Sequence, residues 1–332
     1  MKRIAAVVGL TLVAAMVRSH LAVRDGLSRV APDLRSPVLP YVAVPLTAKN
    51  LWALRLIFKI RTRPGADVTV TQHTVDESSV RTLVFMPKHR LTPSPAVLWI
   101  HGGGYVVGTP EFEAAGTGRL ASNLGVVAVS ADYRLAPEHP FPAGLDDCMA
   151  ALRWMLANAD DLGIDPTRVA VVGASAGGGL AAAVAQRCHD EGIGLRAQVL
   201  VYPMLDDRST LRGDHQGQGR FAWRPESNAF GWTAYLGRAP RWSDAPEYAA
   251  PARRLDLVGL PPAWVGVGDL DVFHDEDVDY AARLKAAGVP TELVTVPGMY
   301  HGADGVKPNA PSMREFRASM EAHLRTHLLA KG

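Results

Sequence analysis

Ser175 stands in a G-x-S-x-G pentapeptide, residues 173–177, a spacing typical of a catalytic serine. An apolar run at 169–172 precedes it, and an alanine-rich stretch at 179–187 follows it. This pattern predicts a buried strand, a sharp turn and a helix, which is the context that a nucleophile elbow requires. The turn would place the hydroxyl at a helix N-terminus, where free N–H groups favour negative charge. The plain alternative is a Gly/Ser turn that only starts a helix.

A serine hydroxyl becomes a good nucleophile only when a base takes its proton and a carboxylate orients that base. In a parallel sheet these groups are expected at the carboxyl ends of strands. One predicted strand, 262–267, runs into a turn that contains Asp271, and another, 291–296, runs into a loop that contains His301. We therefore predict Asp271 as the acid and His301 as the base. The candidates that compete by position alone are Asp269 and Asp275 for the acid and His274 for the base.

A glycine run in the first third of the chain offers backbone donors for the negative oxygen that forms during acyl transfer. The predicted strand 95–100 ends in His-Gly-Gly-Gly at 101–104, and glycines let a backbone come close to a reacting group. We predict that the N–H groups of Gly103, Gly104 and Ala176 form an oxyanion hole. A phosphate-binding site is not supported, because these glycines complete neither a P-loop nor a G-x-G-x-x-G pattern.

The elements that must position these residues alternate between strand and helix patterns. The predicted strands are 79–86, 95–100, 125–130, 169–172, 197–202, 262–267 and 291–296, and the predicted helices are 143–158, 275–287 and 312–329. Strands that alternate with helices of this length predict an α/β fold with a mostly parallel sheet and helices on both faces.

The alternation of strands and helices breaks down in two parts of the chain. Aromatic and turn-forming residues replace it in 205–250, which we predict to be a cap inserted between two core segments, 66–204 and 251–332. The N-terminal segment 1–65 is predicted to be part of the same cap. Within it, 50–60 has the pattern of an amphipathic helix, which would lie either over the site or on a lipid surface.

The composition is that of a folded globular protein. Of 332 residues, 48% are hydrophobic and 20% are charged, and the net charge of +2 indicates no general attraction to nucleic acid. Cys148 and Cys188 have no partner at metal-ligand spacing and are predicted to be small buried hydrophobic residues. Neither a metal nor an organic cofactor is predicted.

The N-terminus has two interpretations. Lys2 and Arg3 precede an apolar run at 4–17 that resembles a secretory signal, although the cleavage site is poor. The run is too short to span a bilayer comfortably, so the alternative is a retained helix that packs on the protein or touches a membrane. A cytoplasmic location and an exported or membrane-associated one therefore both stay open.

Three motifs together resemble the hormone-sensitive-lipase family of esterases, the bacterial family IV branch of the α/β-hydrolases. They are His-Gly-Gly-Gly at 101–104, Asp-Tyr-Arg-Leu-Ala-Pro-Glu-His-Pro-Phe-Pro-Ala at 132–143 and Gly-Ala-Ser-Ala-Gly-Gly at 173–178. The resemblance implies an α/β-hydrolase fold with a helical cap. It also implies Ser175 as nucleophile, Asp271 as acid, His301 as base, and Gly103, Gly104 and Ala176 as oxyanion donors. The motif at 132–143 is expected to be structural, with Arg134 and Glu138 pairing to hold a loop beside the site.

This resemblance implies hydrolysis of carboxylic esters of short to medium acyl chain through an acyl-enzyme, without a cofactor. The expected partner is a small ester, and peripheral membrane contact through the N-terminal segment and a homodimer are further expectations. The same triad would also serve an amide, lactone or carbamate hydrolase or an acyltransferase. A catalytically silent ligand-binding protein on this fold is less favoured, because such proteins lose the nucleophile or the base, and Ser175 and His301 are both present.

Overall fold

A computed structural model describes residues 26–39, 44–75 and 79–329, and its central element is a single mixed sheet. The strand order is β1-β2-β4-β3-β5-β6-β7-β8, in which β2 is antiparallel to both of its neighbours, β1 and β4, and every other neighbouring pair is parallel. The mostly parallel sheet predicted from the sequence is therefore confirmed. The strands are β1 (Val68–Val75), β2 (Val80–Pro87), β3 (Ser94–Ile100), β4 (Val127–Ala131), β5 (Ile164–Ala174), β6 (Ala197–Val201), β7 (Ala263–Gly268) and β8 (Thr291–Val296).

The helices connect these strands and cover both faces of the sheet. They are α1 (Leu51–Ile57), α2 (Ala114–Leu124), α3 (Ala143–Ala157), α4 (Ala176–Asp190), α5 (Pro225–Leu236), α6 (His274–Ala286) and α7 (Pro311–Leu324), with single turns at Ala159–Leu162 and Ala303–Val306. The predicted helix 312–329 changes to a π-turn at Arg325–Leu329. The structure adds β1, α2 and α5 to the elements predicted from the sequence.

The core lies in two layers because successive strand residues point to opposite faces. In β3, Ala96, Leu98 and Ile100 join one buried cluster, while Val97 and Trp99 join the other. The first cluster is completed by buried residues of α3, α4 and α6, and the second by those of α2 and α7. A sheet covered in this way has strands that are apolar throughout, which is why β3 to β5 gave clear sequence signals.

Arg134 and Glu138 do not pair with each other, so that prediction was wrong. Arg134 binds Asp147 of α3, with 2.8 Å between Nη2 and Oδ1, whereas Glu138 binds Arg55 of α1 at 2.7 Å. The physical reason is that the Asp147 side chain is completely buried and needs a cation, while Glu138 lies at the surface beside α1. The loop at 132–143 is therefore held from two sides.

Parts of the two predicted cap segments, 1–65 and 205–250, meet on the turn that follows β3. The Tyr235 ring of α5 stacks on Tyr105 with 3.9 Å between ring centroids. The guanidinium of Arg55 donates to the Val106 carbonyl at 2.9 Å. The two segments also contact each other, since the Leu46 N–H donates to the Ser227 hydroxyl at 2.9 Å.

The apolar run at 4–17 lies outside the described residues. Within the described ranges, none of the helices combines the length and the apolar character needed to cross a membrane. Cys148 and Cys188 are both buried and unpaired, as predicted, and burial raises the pKa of the Cys188 thiol to about 12.

Candidate active site

Ser175 occupies the turn between β5 and α4, and its backbone is in the left-handed region with a φ of 58°. This conformation is unfavourable for a residue with a side chain, and strained residues of this kind cluster at active sites. The turn is tight enough that a Cβ on Gly173 would lie 2.1 Å from the Gly177 carbonyl oxygen. A Cβ on Gly177 would in turn lie 2.1 Å from the Ile100 carbonyl oxygen. Only glycine fits at either position, which explains the two glycines of the pentapeptide.

His301 and Asp271 reach Ser175 from the turns after β8 and β7. The Ser175 Oγ lies 2.9 Å from His301 Nε2, and His301 Nδ1 lies 2.7 Å from Asp271 Oδ2. A carboxylate oxygen accepts, so Nδ1 carries the proton and Nε2 is left to accept the serine proton. The three side chains, far apart in the sequence, form one chain of hydrogen bonds in which a hydroxyl can be deprotonated.

The imidazole is held in place by its surroundings as well as by its two hydrogen bonds. Asp271 is fully buried, and its second oxygen accepts the N–H of Phe273 at 3.0 Å. The rings of Tyr202 and Phe273 meet the His301 imidazole edge-on, with 4.6 and 5.3 Å between ring centroids. This packing limits rotation of the base, which favours a preorganised site.

The glycine turn after β3 lies directly against Ser175. A Cβ on Gly102 would lie 3.4 Å from the Ser175 Cβ. Gly103 has a φ of +120°, and a Cβ there would lie 2.0 Å from the Val107 carbonyl oxygen. Among the described residues, the N–H groups of Gly103, Gly104 and Ala176 have no hydrogen-bond acceptor. Unpaired N–H groups beside a nucleophile can bind an oxyanion.

The other candidates predicted from the sequence form hydrogen bonds with groups other than the His301 imidazole. Asp269 accepts the Gly298 N–H at 2.7 Å, which holds the loop that carries His301. Asp275 lies 2.9 Å from His274 Nδ1 and also binds Gln218. The structure thus brings neither rival acid to the His301 imidazole.

Two residues near the site were not identified from the sequence. Trp223 covers Gly104, since a Cβ on that glycine would lie 2.1 Å from the indole ring, and its centroid is 6.4 Å from that of His301. Glu113 binds the N–H of Gly102. Neither residue belongs to a recognisable sequence motif. The position of Trp223 depends on how residues 205–250 fold, and that of Glu113 depends on how the chain turns back from β3.

In the part of the chain that the structure describes, no group of His, Cys, Asp or Glu side chains is arranged to hold a metal ion. The chemistry available at this site is that of a hydroxyl, an imidazole and a carboxylate beside unpaired N–H donors.

Comparison with known proteins places the site in a family context. A family described as having the alpha/beta hydrolase fold matches residues 97–304. Carboxylesterase NlhH of Mycobacterium tuberculosis is 40% identical over 211 residues, covering 63% of this chain and 66% of that protein. An ethyl acetate hydrolase of Pseudomonas putida is 36% identical over 220 residues, covering 62% and 65%. The solved structure of a bacterial heroin esterase aligns with a TM-score of 0.83 at 32% identity, covering 91% of this chain and 99% of that one.

The family match covers more than half of the chain and spans the glycine turn, the serine elbow and the turns that carry Asp271 and His301. The chain therefore belongs to the α/β-hydrolase superfamily, in the branch of esterases related to hormone-sensitive lipase.

Proposed function

We propose that this protein is a serine carboxylesterase in which Ser175 is the nucleophile, His301 the general base and Asp271 the acid that orients it. The observation that carries the proposal is the continuous chain of two hydrogen bonds from the Asp271 carboxylate through the imidazole to the Ser175 hydroxyl. The similarity to proteins named carboxylesterase and ethyl acetate hydrolase supports ester hydrolysis.

The reaction proceeds in two half-reactions. Ser175 Oγ attacks the ester carbonyl while His301 Nε2 accepts its proton, and the imidazolium then protonates the departing alcohol. In the second half-reaction His301 accepts a proton from water, and the water attacks the acyl-enzyme. This step releases the carboxylic acid and restores the serine. In both steps the N–H groups of Gly103, Gly104 and Ala176 stabilise the oxyanion, and loss of one such donor typically costs about 3 kcal/mol.

The direct test is covalent labelling followed by a substrate panel. A fluorophosphonate is expected to phosphonylate Ser175, located by peptide mass spectrometry, and to abolish hydrolysis of p-nitrophenyl acetate through octanoate. A silent ligand-binding protein would neither react with the probe nor hydrolyse the esters. Competing alcohols and matched amides in the same assay separate an esterase from an acyltransferase or an amide hydrolase.

Trp223 is proposed to limit the length of the acyl chain, because it lies across Gly104 and close to His301. Replacing it with alanine is expected to raise kcat/KM for the octanoate ester, relative to the acetate, by about tenfold. The physical reason is that each methylene admitted to an apolar pocket contributes about 1–3 kcal/mol. The exposed Trp242 of the same insertion is the matched control. An unchanged chain-length profile in W223A would rule out this role.

The described parts of 1–65, together with 205–250, are proposed to form a cap over the core segments 66–204 and 251–332. The support is the packing of α1 and α5 on the turn after β3 and the contact between Leu46 and Ser227. In this arrangement the cap supplies the walls of the acyl pocket, and the core supplies the reacting groups.

The exposed side of α1 and the residues after it are proposed to contact an anionic lipid surface. Trp52 is 68% exposed, and Leu56, Ile57 and Ile60 are exposed as well. The exposed cations Lys59, Arg61 and Arg63 lie on either side of Ile60. An apolar face beside cations is typical of segments that lie at a membrane interface.

Binding to vesicles tests this contact. W52E is expected to reduce cosedimentation with phosphatidylserine-containing vesicles by about tenfold, because a buried apolar side chain contributes about 1.5–3 kcal/mol. Hydrolysis of soluble esters should not change. The control is Leu255→Glu, a substitution at a residue that is also exposed but outside this segment. Equal binding of the two variants would contradict the proposal.

Sequencing the mature N-terminus tests export separately.

A homodimer is proposed to form along β8, which pairs only with β7 among the described strands and so leaves an open sheet edge. Light scattering after gel filtration measures the mass, and a monomer at micromolar concentration would contradict this assembly.

A further inference from the structure

Glu113 is not part of the proposed triad, yet one oxygen of its carboxylate binds the turn that carries the proposed oxyanion donors and the other binds the strand before that turn. Oε1 accepts the N–H of Gly102 at 2.8 Å, and Oε2 accepts the indole N–H of Trp99 at 2.7 Å. Trp99 lies near the end of β3, and Gly102 lies just beyond that end. One carboxylate thus ties the glycine turn to the rigid strand that precedes it.

Gly102 is close to both Glu113 and Ser175. A Cβ added to Gly102 would lie 3.0 Å from the Ala174 carbonyl oxygen, 3.4 Å from the Ser175 Cβ and 3.5 Å from Glu113 Oε1. The added carbon would be tight against the Ala174 carbonyl oxygen and in ordinary contact with the other two groups, so the glycine turn packs directly on the turn that carries Ser175. Because the two turns are in contact, a change in the hydrogen bond from Glu113 to Gly102 would alter the distance between the serine and the N–H groups of Gly103 and Gly104.

Ionisation of the buried Glu113 carboxyl lowers the stability of the folded protein. Burial raises the pKa of Glu113 to about 7, and the charge of Asp304 also raises it, although the hydrogen bonds from Gly102 and Trp99 act in the opposite direction. The other titratable groups that interact with Glu113 are the phenols of Tyr133 and Tyr202. Because this pKa is above that of an unfolded glutamate, its contribution to stability falls as the pH rises from about 4.5 to 7. Stability alone therefore does not explain a glutamate here.

We propose that Glu113 is a positioning residue, which holds Gly102 so that the N–H groups of Gly103 and Gly104 face the oxygen of the tetrahedral intermediate. This inference rests on the proposed esterase function and deepens it. Because the oxyanion exists only after the serine has attacked, a displaced turn lowers kcat and leaves KM nearly unchanged.

Two substitutions separate the hydrogen bonds from the space that the side chain fills. E113Q keeps one acceptor oxygen and can serve one of the two donors, whereas E113L serves neither. At pH 8 we expect kcat for p-nitrophenyl butyrate to fall about tenfold in E113Q and about a hundredfold in E113L, because small misplacements of an active site have effects of this size. The rate of phosphonylation by a fluorophosphonate should fall by the same factors.

Thermal unfolding supplies a readout that a merely structural residue would not give. E113Q removes the cost of a buried charge but leaves one donor unpaired, so at pH 8 its melting temperature is expected to stay close to that of the wild-type protein while its catalysis is slower. The matched control is Glu111→Gln, two residues earlier, because Glu111 binds Arg81 instead of the glycine turn. Its kcat should stay within about twofold of the wild type, as expected away from the reacting groups.

The possible failures are distinguishable. If the wild-type protein hydrolyses no ester, the proposed function fails. If it is active and E113Q has the same kcat, or a higher KM at unchanged kcat, the positioning role fails and the esterase function stands. If E113L does not fold, E113Q alone decides the outcome.

Discussion

Hydrolysis of p-nitrophenyl butyrate is expected to fall about a millionfold in kcat when Ser175 is replaced by alanine. Removing a serine nucleophile leaves only the catalysis that oxyanion donors and substrate binding provide, and losses of this order are typical. The Ser175 hydroxyl is the atom hydrogen-bonded to His301 Nε2, so no other described hydroxyl replaces it. Fluorophosphonate labelling should be lost in the same variant.

Stopped assays with purified S175A and wild-type protein measure this loss. The control is Ser243→Ala, because Ser243 is exposed within the insertion and should retain full activity. A double variant that also lacks His301 should be no slower than S175A, because residues that act as a unit are not additive. Comparable rates in S175A and the wild type would refute the proposed mechanism.

The second largest effect is expected for Asp271→Asn, which should lower kcat about ten-thousandfold. An asparagine amide can donate to His301 Nδ1, and the imidazole would then carry its proton on Nε2, where it cannot accept the serine proton. Asp271 is fully buried, and no water can replace its carboxylate without rearrangement.

Two comparisons make this prediction specific to Asp271. Asp275→Asn, the equivalent change in the rival acid, should lower kcat by less than about tenfold, because Asp275 binds His274 and Gln218. The rate of D271N should recover partly as the pH is raised, since hydroxide can then replace the lost base. If both variants lose the same activity, Asp271 is not the acid that orients His301.

The sequence predicted the core strands well and the insertion poorly. The predicted strand 291–296 has the observed bounds of β8, and 169–172 lies within the longer β5. By contrast, α5 was not predicted, because it is buried on several sides and lacks the apolar stripe that reveals a surface helix. The strand β1 does alternate along its length, so a signal was present there.

The sequence by itself determined which groups stand at the ends of which strands. Ser175, Asp271, His301 and the glycine turn could all be located, because parallel strands in one sheet bring their carboxyl ends to the same edge. Local patterns are sufficient for this, since apolar runs and glycine turns are properties of short segments.

Only the tertiary structure decided the contacts between segments. It paired Arg134 with Asp147 and Glu138 with Arg55, and it placed Trp223 and Glu113 against the glycine turn. Such contacts depend on packing between residues distant in the sequence, for which no local pattern exists. The groups proposed to react can therefore be located from the sequence alone, whereas the residues that pack around them and the support of the glycine turn cannot.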